Sequence, residues 1–322
     1  MHSNILPYEE VKTKIDNAEF ITILSHFNPD ADALGTALGI YNILTQDKNK
    51  RVEVVNASKV LPRYLDFLPH FKKIKHQMDY KTSLIISCDC GSIDRLGFEL
   101  DDRDIVNIDH HMSNTHYGSI NVVVPSYASS SQVAFKLFSK YYTISKEVAA
   151  CFYTALLSDT RYFTTSSVNE EVFSVAKELT SLGAKPEKIA TYFTQRRALS
   201  SLRILEKALA SLSLKLGAQV AILAVSKEDI KASGATVPDM DGIIDYAKSL
   251  ATVKVAIFAI EEEEGIRISL RSKEVDISKI AVVFGGGGHK VAAGFTLKNY
   301  TLKDGIEVIL DEIKNAQLLK TA

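Results

Sequence analysis

Cysteine is scarce in this chain, with three in 322 residues. So few exclude a disulfide-stapled scaffold and fit a reducing, cytoplasmic compartment. Cys88 and Cys90 flank Asp89 and, in a strand, would face away from it, which marks them as small buried side chains rather than ligands. An excess of one charge is also missing. Lys and Arg number 38 against 39 Asp and Glu, a net charge of −1, so no global field draws in long duplex nucleic acid. No run reaches the ~18 to 20 apolar residues of a membrane span. Met1, His2, Ser3 and Asn4 lack the charged-then-apolar layout of a secretory signal. Internal repeats and low-complexity linkers are absent as well. The balance is that of an ordinary soluble protein, 46% hydrophobic and 24% charged, and the length supplies two cores rather than one.

The richest stretch runs from Ser25 to Gly35 and contains His26, Asn28, Pro29, Asp30 and Asp32. It follows an apolar run, 20–24, that reads as a buried strand, and precedes Leu34, Ala37, Leu38, Tyr41 and Leu44 at helical spacing. Pro29 stops the intervening segment from being helical. In such a turn Asp30 and Asp32 share a side and His26 approaches from the strand end, which makes half of a metal site. Alone, the segment has the blander alternative of an N-cap Asp beside a surface His.

Three further hydrophobic elements end the same way. The strand 84–88 runs into Asp89, the strand 104–108 into Asp109, His110 and His111, and a helical run, 148–157, into Asp159. Open α/β sheets place their sites at such C-terminal ends. Asp30, Asp32, Asp89 and Asp159 in one cleft would repel prohibitively without cations. Two divalent ions would offset that charge, and a dinuclear centre suits in-line displacement at phosphorus.

The remaining pattern predicts an α/β protein. An opening helix (5–18, with Ile5, Val11 and Ile15 on one face), a strand at 52–55 and a short helix or turn at 62–69 are expected around these elements. Strands alternating with helices imply a doubly wound, mainly parallel sheet. A strand at 120–124 follows, and then Ala128 to Gln132 open a helix through Phe138, either as an N-cap cluster or with the Ser130 hydroxyl and free amides holding a phosphate. Helices at 170–182 and 186–193 close a first domain, 1–195. An amphipathic helix, 196–211, then leads into a smaller α/β domain, 212–322, with strands at 220–225, 253–260 and 266–270. Its helices are expected at 240–250, 277–283 and 302–315. The acidic run 261–265 reads as a solvated hairpin turn. Gly285, Gly286, Gly287 and Gly288, beside His289 and Lys290, form either a flexible loop or a nest for an anion.

These motifs, in this order, resemble the DHH phosphoesterases. The resemblance rests on His26, Asp30 and Asp32, then Asp89, then Asp109-His110-His111, then Asp159. The glycine run with His289, Ala292, Ala293, Gly294 and Phe295 resembles the accessory DHHA1 domain of one branch, and the likeness spans nearly the whole chain. That branch contains nano-RNases that also hydrolyse 3′-phosphoadenosine 5′-phosphate (pAp). The resemblance implies one ion on His26, Asp30 and Asp89 and a second on Asp32, Asp89, His110 and Asp159, with Asp89 bridging and manganese as the metal. His111 would contact the scissile phosphate and protonate the leaving oxygen, and Asp109 would orient it. Arg271 and His289, with Gly286, Gly287 and Gly288, would hold the far end of a short single-stranded RNA, pAp or a dinucleotide. Neighbouring readings are cyclic or linear dinucleotide cleavage, a nucleotide-binding regulator without turnover, and pyrophosphate hydrolysis, the last disfavoured by the glycine-His motif. The chain departs from the family at Gln132, where an acid is usual, and at Arg161, where glycine is usual. Arg161 is expected to reach substrate phosphate. Whether the protein pairs into a homodimer stays open.

Overall fold

The computed structural model describes residues 6–316 and residue 319. The chain divides after Arg196 into two compact units.

In the first unit, α1 (Tyr8–Asn17) precedes β1 (Phe20–Ser25), α2 (Ala31–Leu44), β2 (Arg51–Val55), β3 (Leu84–Cys88), β4 (Ile105–Asp109) and β5 (Ile120–Val123). Then come α3 (Ser130–Phe138), α4 (Lys146–Asp159), α5 (Glu170–Ser181) and α6 (Pro186–Thr194). The expected opening helix begins at Tyr8, and Ile5 lies outside the described residues. The strands form one sheet in the order β2-β1-β3-β4-β5, all parallel. Strands β3 and β4 are buried along their whole length, as expected for a sheet covered on both faces. The chain passes from β1 outward to β2 and then returns to β3, so the order reverses between β1 and β3, where such sheets bind ligands.

Two glycines set how the helices meet over this sheet. A Cβ on Gly35 would lie 2.7 Å from the Cys151 carbonyl oxygen, and one on Gly39 would lie 2.2 Å from the Phe152 ring. Helix α2 can therefore press directly against α4, which brings the end of α4 to the start of α2. The three cysteines are free and buried, and for Cys88 and Cys90 that burial is the one expected.

The second unit contains α7 (Leu199–Ala210), β6 (Ser213–Lys215), β7 (Val220–Val225), α8 (Lys227–Ser233), α9 (Ile243–Ser249), β8 (Val255–Glu262) and β9 (Gly265–Ser272). It ends with α10 (Ser278–Val283), β10 (Gly287–His289), β11 (Ala292–Lys298) and α11 (Leu302–Asn315). Its sheet runs β10-β11-β9-β8-β7-β6, antiparallel except for the β7/β8 pair. Two expectations change here. Helix α7 is no bare connector, because Ile204 and Ala208 sit in the core with Leu223, Ile243 and Phe258. The glycine run is no simple loop either, since Gly287 to His289 pair with β11 as an edge strand. The acidic turn does join β8 to β9 as a hairpin.

Candidate metal centre

Each ligand-bearing turn is shaped by the strand before it. Asn56 donates from Nδ2 to the carbonyls of Ser25 and His26, fixing the end of β1. Asn28 and Asp89 both adopt left-handed φ values, +54° each, a region that short polar side chains tolerate best. Asp30 is the N-cap of α2 and accepts from the Ala33 amide at 3.0 Å.

The side chains converge in overlapping groups. His26, Asp30 and Asp89 present ligand atoms within 4.8 Å of one another, as do Asp32, His110 and Asp159, and Asp89, His110 and His111. Asp89 belongs to two of these groups. His26 Nδ1 is 2.9 Å from the Phe27 carbonyl, and His110 Nδ1 is 3.2 Å from that of Tyr127. A proton on each Nδ1 leaves Nε2 as the lone-pair nitrogen. That nitrogen of His26 lies 3.6 Å from Asp89, and that of His110 lies 3.4 Å from Asp159 and 3.7 Å from Asp89.

The start of α3 was expected either to cap itself or to hold a phosphate. It caps itself through Ser129, whose side chain accepts from the Gln132 amide. The Ser130 and Ser131 amides donate to the two oxygens of Asp32, at 2.7 and 3.1 Å. Ser130 is fully buried, and its hydroxyl donates to Asp89 at 2.9 Å. In this structure these donors serve carboxylates. Gln132 accepts from the Ala128 amide through Oε1, a local cap.

Electrostatics separate the carboxylates. Burial, with the charges of Asp89 and Asp159 beside it, pushes Asp32 well above the usual carboxylate range. Burial likewise raises Asp159 to about 7, although His110 opposes the shift. Asp89 is equally buried, but the imidazoles of His26, His111 and His110 outweigh burial and hold it below the usual range. At His111 burial is outweighed by the Asp109 hydrogen bond and the charge of Asp89, which raise it to about 9. Asp109, fully buried, accepts from His111 Nδ1 at 2.7 Å and from the His110 amide at 2.8 Å. Such a crowd of carboxylates with imidazole nitrogens fits divalent cations of mixed oxygen and nitrogen preference.

Arg161, two residues after Asp159, has φ +46°, and Tyr162 and Phe163 continue left-handed at +59° and +63°. In the second unit Arg271, Ala292 and His289 lie in register across β9, β11 and β10, so their side chains share one face. The glycines divide by role. A Cβ on Gly286 or Gly288 would collide with β11 backbone at 2.2 and 2.5 Å, whereas one on Gly287 would meet nothing within 4 Å. Several contributors carried no recognisable pattern: Thr36, which donates to Asp32, Asn114, which donates to Asp109, and Arg95 beside His26. Only Thr36, four residues after Asp32 on one helix, had a spacing that could have shown it.

Residues 20–156 match the N-terminal domain of the DHH family, and residues 217–317 match the DHHA1 domain. The bifunctional oligoribonuclease and PAP phosphatase NrnA of Thermus thermophilus is 30% identical over 298 residues, 91% of this chain and 89% of the relative. A probable NrnA of Streptococcus mutans is 27% identical, over 96% of this chain and 98% of the relative. The crystal structure of an exopolyphosphatase-related protein from Bacteroides fragilis superposes with a TM-score of 0.87 at 26% identity, covering 98% of this chain and 99% of that one. With DHH and DHHA1 domains in that order, and a relative aligned along most of its length, the chain belongs to the DHH family and is a metal-dependent hydrolase.

Proposed function

We propose that the protein is a manganese-dependent phosphoesterase that hydrolyses short oligoribonucleotides and removes the 3′-phosphate of pAp. The observation that carries this reading is the overlap of donor groups at the β1/β3 reversal, with Asp89 common to two of them. His26, Asp30 and Asp89 would hold one divalent ion, and Asp32, Asp89, His110 and Asp159 the other. Bound there, the ions supply charge neutralisation at phosphorus and lower the pKa of water.

The chain's own groups do the rest. Asp109 fixes the His111 ring through Nδ1, and the imidazolium, with its pKa near 9, is a charged donor at neutral pH. In this reading it would give a proton to the leaving oxygen. Ser130 and the α3 amides hold Asp89 and Asp32 in place, so the carboxylates need little rearrangement when cations arrive. In the second unit Arg271 and His289 flank Ala292 across the sheet. A guanidinium and an imidazole in that register would suit the far phosphate or base of a short substrate. The NrnA relatives, whose names carry both activities, support this substrate class.

The test is a panel with Mn²⁺: pAp, a diribonucleotide, pyrophosphate and a cyclic dinucleotide. Phosphate release from pAp and mononucleotides from the dinucleotide are expected. Turnover of pyrophosphate or the cyclic dinucleotide alone overturns the reading, and binding without turnover of any compound marks a regulator.

A further inference from the structure

Arg95 lies in the one-turn 3-10 helix Ile93–Leu96 that follows the Asp89 turn, and no step above uses it. Its carbonyl accepts from the Phe27 amide at 2.7 Å, which ties this turn to the one carrying His26. Its guanidinium nitrogen Nη2 lies 3.3 Å from His26 Nδ1. That nitrogen is already 2.9 Å from the Phe27 carbonyl, and it cannot donate to one group while accepting from the other. The shorter contact, and the carboxylate facing Nε2, place the proton on Nδ1. Two donors then face each other, so the arginine gains no hydrogen bond from the imidazole.

Nor does it neutralise the site. Among the described residues no Asp or Glu oxygen lies within 4.0 Å of the Arg95 guanidinium, although the neighbouring turns are crowded with carboxylates. Arg95 is exposed, so water serves its guanidinium in the absence of substrate. What sets it apart is position: its backbone is tied to the His26 turn and its guanidinium lies beside His26, with a five-donor fork whose spacing matches two phosphate oxygens.

We propose that Arg95 is a substrate-contacting residue that donates to the non-bridging oxygens of the phosphoryl group positioned at His26, Asp30 and Asp89. The inference rests on the phosphoesterase reading for its substrate, though not on which ester is cleaved. A planar fork there would orient the phosphate for in-line attack and oppose the charge that builds on its oxygens.

Three proteins decide it: the parent, Arg95→Lys and Arg95→Ala, each loaded with Mn²⁺. Loss of one charge-assisted contact should lower kcat/KM for pAp by about 10- to 150-fold in the alanine variant. Lysine should recover only part, because it lacks the fork. Calorimetric affinity for inorganic phosphate should fall by at least about tenfold, while Mn²⁺ affinity stays at the parent value. A matching fall in Mn²⁺ affinity would mean that Arg95 merely supports His26, and phosphate affinity equal to the parent's would make it a bystander. Either result overturns the proposal. If the parent itself turns over nothing on the panel, the functional reading fails, and the phosphate titration still judges Arg95.

Discussion

In the first unit the carboxylates are gripped from several sides. Asp32 takes the amides of Ser130 and Ser131 and the hydroxyl of Thr36, and Asp109 takes His111, the His110 amide and Asn114. In the second unit the residues assigned to substrate stand on an outer, antiparallel stretch of sheet. Arg271 donates to its own neighbour's carbonyl, and a Cβ on Gly287 in the edge strand would meet nothing within 4 Å. The first arrangement is preorganised, since its charges are arranged before anything binds. The second, in the reading proposed above, is the adaptable part, with a guanidinium and an imidazole in register across the sheet. Chemistry at phosphorus tolerates little displacement, whereas recognition of short and varied nucleotides tolerates more.

The sharpest way to break the contrast is to remove a charge from the gripped set. Asp89→Asn keeps a side chain suited to the left-handed turn at φ +54°. It removes the carboxylate shared by two donor groups. We expect kcat to fall by about 10³-fold or more, bound metal per protein to drop by elemental analysis, and the circular dichroism spectrum to stay unchanged. Near-parental turnover would show that Asp89 is not the shared ligand.

Asp109→Asn touches the same grip one step further out. In the proposed reading the acid form of His111 acts, and its pKa near 9 depends on the hydrogen bond and charge of Asp109. A raised folded pKa keeps the imidazolium as pH rises through 8. Without Asp109 the alkaline limb of kcat should move down from about 9 toward the ordinary imidazole value of ~6.5. At pH 8 the loss should be about thirtyfold and at pH 6 clearly smaller. A pH profile of unchanged shape would remove His111 from proton transfer.

How much of this contrast the sequence carried follows from the same physics. Apolar runs ending in His26, Asp89, Asp109 and Asp159 mark strand and helix ends, so the centre's members were readable one by one. What holds them was hidden. The amides of Ser130 and Ser131 are main chain, and every residue type offers one, so nothing in the pattern shows that they point at Asp32. Arg95 was hidden for a different reason, because its place beside His26 depends on how two loops from separate strands meet. In the second unit β10 and β11 are glycine- and alanine-rich, and their pairing is set by long-range contact rather than by alternation. Helix α7 read as a connector because an amphipathic stripe does not say which core it joins.

The second unit is tested by Arg271→Ala. Loss of one charge-assisted contact should lower kcat/KM for pAp and a diribonucleotide by about 10- to 150-fold. A small artificial phosphodiester with no nucleotide to be recognised should be spared. The ratio of the two losses is the measurement. Equal losses on both substrates would place Arg271 in folding or in support of the centre, and the division of labour between the units would fall.

The smallest expected effect concerns a residue of the first unit that does not follow its pattern. Arg161 sits beside Asp159 in a left-handed conformation that costs about 1–2 kcal/mol for a residue with a Cβ. Glycine at this position would remove that strain and give back roughly 0.5–1 kcal/mol through the greater freedom of the unfolded chain. The balance favours Arg161→Gly by about 0.5–1 kcal/mol, or a Tm higher by about 1–4 °C. A strained residue that persists beside a reacting centre points to a use for its side chain. If the guanidinium meets substrate phosphate, KM for pAp should rise about tenfold in the glycine variant while kcat changes little. A higher Tm with KM unchanged would leave the strain without a binding role, and Arg161 would then serve only the turn. A lower Tm would show that the arginine's contacts inside the unit outweigh its backbone cost. Measuring Tm and KM on the same preparation separates these outcomes, because strain acts on folding whether or not substrate is present, while phosphate contact acts only when it binds.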